Sequence, residues 1–439
     1  MEVLNLNDYH GFCMRGEGRA NFVISSKCEK NGLRIVWRLQ KHRSGLISAK
    51  QRCELLGQYL EKFIMPFIGE DFLIKPRIVR MQVQDLMLIG KLPSLPHNFR
   101  VEHFEELADV AKYPSDLSMF PLDSARLVKT YPFINILEMA DATRIPKRLS
   151  NTFGPTITIE LKPKQGFAQD HPGIDLPYCN NCILQIEKSK SGAFNSMYDF
   201  CPLDLFSGDL NRMYKAINSL IADPHRNLRV FLDGTPIHDE ESVLNRAELQ
   251  SMLFPNTPVQ LNLLIKALCC VLVGVQDDRE SFYMHQDSIL ATLLKAQKID
   301  TIGIVRARKI YETLPPDVQH QLLDKKNLLN RANTNFLNAN DARSLLEKYF
   351  VAATIKDCSL MISFRLVDSR KCIDEPSSMY LVRVRATPDA DPVCFTFSTR
   401  VVDLDPKSPR NLLNAYQRFI SGINTILSGS PNFHQPCQI

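Results

Sequence analysis

The chain has 439 residues, of which 44% are apolar and 23% charged, so it is long enough for two or more cores and is neither disordered nor fibrous. Its formal net charge of +5 is too small for a protein that coats nucleic acid by bulk charge, so a polyanion site must be a local cluster. The 12 cysteines and the absence of a basic-then-apolar leader favour a reducing, intracellular compartment, and the apolar stretch 258–275 predicts a buried helix and no membrane span.

The N-terminal region predicts a hairpin and a helix. Apolar runs flank Asn31-Gly32, a dipeptide typical of tight hairpin turns. Residues 49–66 carry apolar side chains at helical spacing, which predicts one helix packed against that sheet. The stretch RGEGRAN, residues 15–21, precedes the hairpin. Its glycines let backbone N–H groups approach phosphate oxygens, although a plain surface turn has the same composition.

The chain changes character between Tyr131 and Pro146, where an apolar run leads into ADATRIP. We place a domain boundary there, giving domains 1–140 and 141–439. The second domain is predicted to hold strands at 156–164, 228–234, 351–364 and 394–405. Helices are expected over 198–224, over most of 258–350, and in a last amphipathic segment that carries Leu412, Phe419 and Leu427.

The strand TITIELKPK, residues 156–164, separates two kinds of side chain. With a period of two, its apolar face holds Ile157, Ile159 and Leu161, and its polar face holds Thr158, Glu160, Lys162 and Lys164. A half-buried strand whose polar edge faces water has the same pattern. The segment by itself therefore leaves both a structural and a chemical role open.

Further charged residues lie near predicted strand ends. Asp403 and Asp405 are two apart, and paired carboxylates suit Mg²⁺, although a solvated strand end is common. Ser408 is predicted as the N-cap and Pro409 as the first residue of the last helix, which makes a phosphate site beside Lys407 and Arg410.

Two more positions leave alternatives open. Asp357 stands in an apolar stretch, so its carboxylate is either paired in a core or exposed at an active-site edge. Asn227 and Arg229 share one strand face with capacity for phosphate, or they are ordinary surface residues.

Six segments together resemble the inositol-pentakisphosphate 2-kinase family, and they occur in the family's order over nearly the whole length: RGEGRANFV, IELKPKQGF, YDFCPLDLFS, NLRVFLDG, ATIKDCSLMISF and VVDLDPK. The resemblance implies an α/β (α+β), two-lobed, divergent protein-kinase-like fold, with ATP between the lobes and a helical elaboration of the second lobe that holds the inositol phosphate. It also implies transfer of the ATP γ-phosphate to the 2-hydroxyl of inositol 1,3,4,5,6-pentakisphosphate, which gives inositol hexakisphosphate.

The resemblance assigns roles residue by residue. It implies that Asp357 accepts the proton of the attacking hydroxyl, that Lys162 serves the reacting centre, and that Asp403 and Asp405 hold Mg²⁺. The implied nucleotide-binding residues are Arg15, Gly16, Glu17, Gly18, Ala20, Asn21, Arg38, Asp141, Thr143, Glu160 and Asp403, with Asp141 and Thr143 meeting the adenine largely through backbone groups. The implied substrate-binding residues are Lys162, Lys164, Asn227, Arg229, Asp357, Lys407, Arg410 and Tyr416, although Tyr416 also fits a core position.

The chain departs from the family pattern in two places. Asn180 stands where the family commonly has an arginine, and residues 178–185 contain no histidine, so one cationic contact is in doubt; Lys188 and Lys190 are close enough to compensate. Some relatives bind a structural zinc through a mixed cysteine and histidine set in the helical region, but residues 300–350 contain His320 and no cysteine. The CNNC segment, 179–182, has only His171 and Cys201 near it. Zinc is therefore not expected.

The main alternative is a non-catalytic inositol-polyphosphate-binding scaffold on the same fold, which would lack the proton acceptor or the metal ligands. The chain has Asp357, Asp403 and Asp405, so activity is expected. The partners expected are ATP and inositol pentakisphosphate, with no membrane and no direct nucleic acid contact. The resemblance further suggests a monomer in the cytoplasm, the nucleus or both.

Overall fold

The computed structural model describes residues 2–17, 21–40, 47–92, 100–109, 132–145, 151–192, 199–323, 334–368, 380–429 and 436–438. They form two compact units, each with an antiparallel sheet and helices, so the predicted α+β class is confirmed. The first unit comprises Met1–Gln58, Ile74–Arg144 and Asp233–Pro236, and the second comprises Tyr59–Leu73, Ile145–Leu232 and Ile237–Ile439. The single boundary at 140/141 stays a prediction.

The first unit is built on a six-stranded sheet of order β4-β6-β3-β2-β1-β5. Its strands are β1 (Tyr9–Glu17), β2 (Asn21–Cys28), β3 (Arg34–Gln40), β4 (Arg77–Gln82), β5 (Arg100–Val101) and β6 (Phe133–Ala140). The predicted hairpin joins β2 to β3, and Gly32 in its turn has φ +67°, a value that favours glycine. The helices are α1 (Ile47–Tyr59), α3 (Val83–Ile89) and α4 (Glu106–Asp109), with a 3₁₀ turn at Leu6–Asp8.

Trp37 is the centre of the first unit's core. Its side chain is fully buried and packs edge-on against Tyr9, with ring centroids 5.0 Å apart. Its indole N–H donates to the Glu138 carboxylate at 3.1 Å, and Arg77 also donates to Glu138. The buried indole therefore has the partner that its polar atom requires.

The helix predicted over 49–66 is only partly confirmed. Helix α1 ends at Tyr59, a π-helical turn covers Leu60–Ile64, and α2 covers Met65–Ile68. From Tyr59 onward this stretch belongs to the core of the second unit, where the Phe63 ring stacks on Phe336 at 5.8 Å. Helical spacing identifies an apolar stripe, but it does not identify the core that the stripe packs against.

The second unit holds a six-stranded sheet of order β11-β12-β10-β7-β8-β9. Its strands are β7 (Thr152–Leu161), β8 (Leu228–Leu232), β9 (Thr235–His238), β10 (Ser359–Val367), β11 (Leu381–Val384) and β12 (Val393–Val402). Its further helices are α5 (Asn180–Lys190), α6 (Pro202–Leu205), α7 (Leu210–Ala222), α8 (Arg246–Leu253), α9 (Leu261–Val273), α10 (Ile289–Gln297), α11 (Gly303–Thr313), α12 (Pro316–Leu323), α13 (Ala342–Lys356) and α14 (Pro409–Leu427). Short 3₁₀ turns lie at Glu70–Phe72 and Thr334–Leu337.

All four strand predictions need correction at their ends, and the strand predicted over 228–234 stops at Leu232. Residues 351–356 complete α13 rather than begin a strand, because an apolar run is equally compatible with a buried helix. Strand β7 stops at Leu161 and β12 stops at Val402, so Lys164 and Asp403 lie in loops. Thr158 is fully buried and hydrogen-bonded to Ser363 at 2.7 Å, so the face predicted to be polar is buried at this point.

The helices α5 and α14 pack unusually closely. A Cβ on Gly422 of α14 would lie 2.5 Å from the carbonyl oxygen of Ile183 in α5, so the two backbones are nearly in contact. Pro258–Val275 contains α9, a buried helix as predicted. Within the part of the chain that the structure describes, no helix has the length and apolar character needed to cross a membrane. Leu427, expected on the buried stripe of α14, is 70% exposed at the helix end.

Candidate active site

The sheet register of the second unit brings three loops together. Strand β10 lies between β7 and β12, and its first residues pair with the last residues of both neighbours. Leu161 is opposite Leu360, and Val402 is opposite Ser359. The loops after β7, before β10 and after β12 therefore lie at the same end of these three strands. The first loop carries Lys162 and Lys164, the second carries Asp357, and the third carries Asp403 and Lys407.

Asp357 is the centre of this cluster. It caps the C-terminus of α13, and its two carboxylate oxygens accept from Lys164 Nζ at 3.3 Å and from Lys407 Nζ at 2.5 Å. Burial acts to raise the pKa of Asp357, but Lys164, Lys407 and Lys162 outweigh it and hold that pKa well below its usual range. The carboxylate is therefore ionised at neutral pH, and its side chain is still 48% exposed.

Lys162 forms a second ion pair beside the first. Its Nζ lies 3.0 Å from Asp403 Oδ2, and its backbone N–H donates to the Asn227 carbonyl at 2.8 Å. Burial acts to lower the pKa of Lys162, but the carboxylates of Asp403, Asp357 and Glu160 outweigh it, so the pKa is raised. Lys164 shows the opposite balance: burial, with Lys162 and Lys407 nearby, lowers its pKa despite Asp357. The site thus concentrates positive charge around two carboxylates.

The backbone is strained where two of these side chains leave the sheet. Lys164 has φ +62° and Asp403 has φ +63°, in the left-handed region that residues with a Cβ rarely adopt. Such conformations cost of order 1–3 kcal/mol each and persist where the surroundings enforce them. Of these two residues, Lys164 pairs with Asp357, and Asp403 pairs with Lys162.

Asn227 and Arg229 border the cluster on the β8 side. Asn227 lies just before β8 and is buried, while Arg229 is on the strand opposite Glu160, with 3.9 Å between Arg229 Nη1 and Glu160 Oε2. The two predicted residues therefore differ in setting, since only Arg229 belongs to the strand ladder.

The last helix begins as predicted. Ser408 is the N-cap of α14 and Pro409 its first residue, and Asn411 Oδ1 accepts from the Ser408 N–H at 2.9 Å. Arg410 is exposed at this end. Tyr416 is partly buried, and the Arg308 guanidinium lies 5.9 Å from its ring centroid, so the ring packs against α11 as well as facing outward.

Helix α5 adds a cation near the cluster. Burial, followed by repulsion from Lys164 and Arg418, lowers the pKa of Lys188 to about 8. Asn180, which replaces the family's usual arginine, instead makes a 2.8 Å hydrogen bond to His171 and donates to Gln165 at 3.3 Å. The sequence suggests Lys188 as a compensating cation. It gives no signal for Arg418, because the pattern of α14 indicates only its apolar stripe.

A buried ion pair fixes the helix end that carries Asp357. Lys356 Nζ lies 2.7 Å from Asp300 Oδ2, and Asp300 also accepts from the backbone N–H groups of Ile302 and Gly303 at 3.1 and 2.9 Å. The Asp300 side chain is fully buried. The sequence offered no signal for this pair, since its partners are 56 residues apart.

Asp300→Ala is expected to lower the free energy of unfolding by about 3 kcal/mol, because it leaves the Lys356 ammonium without its buried partner. Chemical unfolding followed by circular dichroism measures the change. Asp287→Ala, which removes an exposed carboxylate, is the matched control. A midpoint for Asp300→Ala as high as that of the control would show that the pair does not stabilise the fold.

The predicted nucleotide residues lie in the first unit, apart from Glu160 and Asp403. Arg15 Nε donates to Ser25 Oγ at 2.7 Å, and Arg15 Nη1 donates to the Gly234 carbonyl. Gly16 and Glu17 end β1, Asn21 begins β2, and Arg38 is in β3. Gly18 and Ala20 lie outside the described residues.

The segment predicted to meet adenine forms a tight turn. Asp141 Oδ1 accepts from the Thr143 N–H at 2.9 Å and from the Thr143 hydroxyl at 2.6 Å, and the Asp141 N–H donates to the Arg34 carbonyl at 3.2 Å. These two N–H groups are therefore already used within the protein, and the Asp141 carbonyl accepts from the Arg144 N–H at 3.1 Å. Gly234 has φ +81°, and a Cβ there would lie 2.8 Å from Thr143 Oγ1.

Two sets of side chains could hold a metal ion. Asp403 and Asp405 follow β12 as a pair of partly or fully exposed carboxylates. Within the described residues, one group of three or more His, Cys, Asp or Glu side chains has its potential ligand atoms close together. It consists of Cys179, Cys182, Cys201 and Cys437. The sequence interpretation included Cys201 but not Cys437, and His171 is bonded to Asn180 instead of joining this group.

Known proteins of one family match most of the chain. A family model described as inositol-pentakisphosphate 2-kinase matches residues 15–418. The chain belongs to this family. The inositol-pentakisphosphate 2-kinase of Arabidopsis thaliana is 27% identical over 459 residues, covering 94% of this chain and 93% of that protein. That of Danio rerio is 26% identical over 343 residues, covering 64% and 68%, and that of Oryza sativa subsp. indica is 27% identical over 273 residues, covering 57% and 56%.

Proposed function

We propose that the chain is an ATP-dependent kinase that phosphorylates the 2-hydroxyl of inositol 1,3,4,5,6-pentakisphosphate and releases inositol hexakisphosphate. Family membership supports the reaction, and one observation in the second unit carries the proposal. The ionised carboxylate of Asp357 is held between Lys164 and Lys407, beside the Lys162–Asp403 pair. Phosphoryl transfer needs positioning and charge neutralisation, and this arrangement supplies both.

Asp357 is proposed as the acceptor of the hydroxyl proton. Its low pKa makes it a weak base in the free protein, but the lysines that lower that pKa are also suited to substrate phosphates. When phosphates engage Lys164 and Lys407, their charge raises the basicity of Asp357. Substrate binding and activation of the base are then coupled through the same two side chains.

The remaining cations have roles in binding the transferred phosphate and the substrate. Lys162 is proposed to stabilise charge on the transferring phosphoryl group. Arg229, Arg410 and Lys188 are proposed to contact substrate phosphates, with Asn227 and Tyr416 as neutral donors. A ligand with five phosphates requires such a set, because no single cation neutralises it.

The residues after β12 fit a magnesium ion. Mg²⁺ in kinases is held by one or two carboxylates together with nucleotide phosphates, and Asp403 and Asp405 supply two carboxylates on one short loop. A bound ion would neutralise charge on the phosphates during transfer. Asp403 Oδ2 also lies 3.0 Å from Lys162 Nζ, so a bound ion and that ammonium would be neighbours.

We further propose that the two compact units are the lobes of a divergent protein-kinase-like fold. The antiparallel pairing of β1 with β2 in the first unit and the glycines of the sequence RGEGRAN support a nucleotide role for Arg15, Gly16, Glu17, Gly18, Ala20, Asn21 and Arg38. Asp141 and Thr143 are proposed to shape the adenine site through the turn that they form. That the protein is a monomer of the cytoplasm or nucleus stays a prediction.

ATP turnover with inositol 1,3,4,5,6-pentakisphosphate and Mg²⁺ tests the proposed function, with the product resolved by anion exchange and its phosphate positions assigned by NMR. Inositol hexakisphosphate formed at an enzymatic rate is the expected result. Tight pentakisphosphate binding without turnover would instead support a non-catalytic scaffold. The presence of Asp357, Asp403 and Asp405 favours the enzyme.

The affinity for inositol pentakisphosphate is expected to fall about tenfold between pH 7 and pH 9 through Lys188. In the free protein the pKa of Lys188 is lowered to about 8, because burial and the charges of Lys164 and Arg418 outweigh the attraction of Asp357 and Glu187. A bound phosphate favours the charged form of Lys188, so binding at high pH must take up a proton. Calorimetry at pH 7, 8 and 9 compares the wild type with Lys188→Arg and Lys188→Met.

The arginine variant keeps its charge and should lack this component of the fall, and the methionine variant should bind weakly at every pH. Titration of the ligand itself is common to all three proteins and cancels in the comparison. Identical pH profiles for the wild type and Lys188→Arg would exclude Lys188 from the phosphate site.

A further inference from the structure

Four cysteines from three parts of the chain meet in the second unit. Cys179 and Cys182 are the N-cap and third residue of α5, Cys201 is the N-cap of α6, and Cys437 lies at the C-terminal end of the chain. Their sulfur atoms all lie within 4.8 Å of one another. Cys179, Cys182 and Cys201 are buried, and Cys437 is partly buried.

The distances between the sulfur atoms fit a single ion. Cys179 Sγ and Cys182 Sγ are 3.5 Å apart, and Cys201 Sγ and Cys437 Sγ are 3.7 Å apart. Zinc–thiolate bonds of about 2.3 Å at tetrahedral angles place neighbouring sulfurs about 3.8 Å apart. All four residues are free cysteines, so none is committed to a disulfide.

The surrounding backbone also suits thiolates. The Cys179 N–H donates to Cys437 Sγ at 3.3 Å, and Cys179 stands at the N-terminus of an 11-residue helix, where negative charge is favoured. The C-terminal segment is fixed in place by two more contacts. The Cys437 N–H donates to the Pro177 carbonyl at 2.8 Å, and Arg212 donates to the Gln438 carbonyl at 2.9 Å.

We propose that Cys179, Cys182, Cys201 and Cys437 form a structural zinc site. Four thiolates complete the tetrahedral shell, so the ion has no open position for a substrate or water. Its role is to fasten the C-terminal segment to the first turn of α5 and to the start of α6. The proposal reverses the expectation from sequence that zinc is missing, because Cys437 is 236 residues from Cys201 and no local spacing connects them.

Metal analysis of the full chain, purified without chelators, tests the site. Plasma mass spectrometry should find one zinc per chain in the wild type and in Cys28→Ser, a control cysteine in β2 of the first unit. Cys437→Ser and Cys201→Ser should lose it. Replacement of zinc by Co²⁺ should give the charge-transfer absorption of a tetrathiolate in the wild type and the control alone.

A second measurement uses only the wild type, in case the serine variants do not fold. Titration with an organomercurial should release the zinc in step with modification of four thiols, as followed with a metal-binding dye. The proposal is overturned by wild-type protein that binds no zinc when zinc is supplied. Stoichiometric iron, or a mass two hydrogens lower that reveals a disulfide among these cysteines, also overturns it. None of these outcomes depends on kinase activity.

Discussion

Asp357→Asn is expected to lower kcat by at least about 10³-fold, equivalent to about 4 kcal/mol of transition-state stabilisation. The amide has nearly the same shape as the carboxylate, but it cannot accept the hydroxyl proton. Affinity for inositol pentakisphosphate should stay the same or increase, because the change removes the anion that competes with phosphates for Lys164 and Lys407. Product formation gives kcat, and calorimetry gives the affinity.

Asp389→Asn removes an exposed carboxylate elsewhere in the second unit and is the matched control for Asp357→Asn. A variant at Asp357 with wild-type kcat would exclude it as the proton acceptor. The wild-type pH profile adds a second check. Since the pKa of Asp357 in the free protein is held well below its usual range, a loss of kcat/KM between pH 6 and 5 is expected to come from another group.

Lys162→Met is expected to lower kcat about 10³-fold with little change in thermal stability. The substitution keeps the aliphatic stem and removes the charge proposed to stabilise the transferring phosphoryl group. It also releases Asp403, whose carboxylate is now 3.0 Å from the ammonium. Steady-state turnover and a thermal unfolding curve give the two quantities.

Lys215→Met, on the exposed face of α7, controls for the loss of one surface charge. If Lys162→Met unfolds many degrees below this control, the lysine is a structural residue of the β7 edge and its role in transfer is wrong. If stability is unchanged and kcat also stays at the wild-type value, Lys162 belongs to neither the fold nor the reaction.

The sequence predicted those parts of the fold that depend on local pattern. The hairpin at Asn31-Gly32, the buried helix of 258–275 and the N-cap at Ser408 are confirmed, because turn chemistry, hydrophobicity and capping act over a few residues. Exact strand ends were not predictable. The strands β7 and β12 stop before Lys164 and Asp403, where tertiary contacts impose positive φ values that no sequence pattern announces.

Family motifs predicted the candidate site residues, and their pairing needed the structure. Alternation placed Lys162 and Lys164 on one face, but they pair with different carboxylates, Asp403 and Asp357, brought there by the β10 register. The Asp300–Lys356 pair and Cys437 could not be found from sequence. Each partner is far along the chain, and neither has a spacing that indicates the other.

The close approach of Gly422 to Ile183 determines how the cations of the candidate substrate site can move. The carbonyl and the side chain of Ile183 both lie against Gly422, so little space is left there for α14 to slide past α5. Lys188 and Arg418 are on these two helices, so a shift of one is transmitted to the other. The proposal that Lys188 binds a substrate phosphate therefore implies that its spacing from Arg418 is set by helix packing before any ligand arrives.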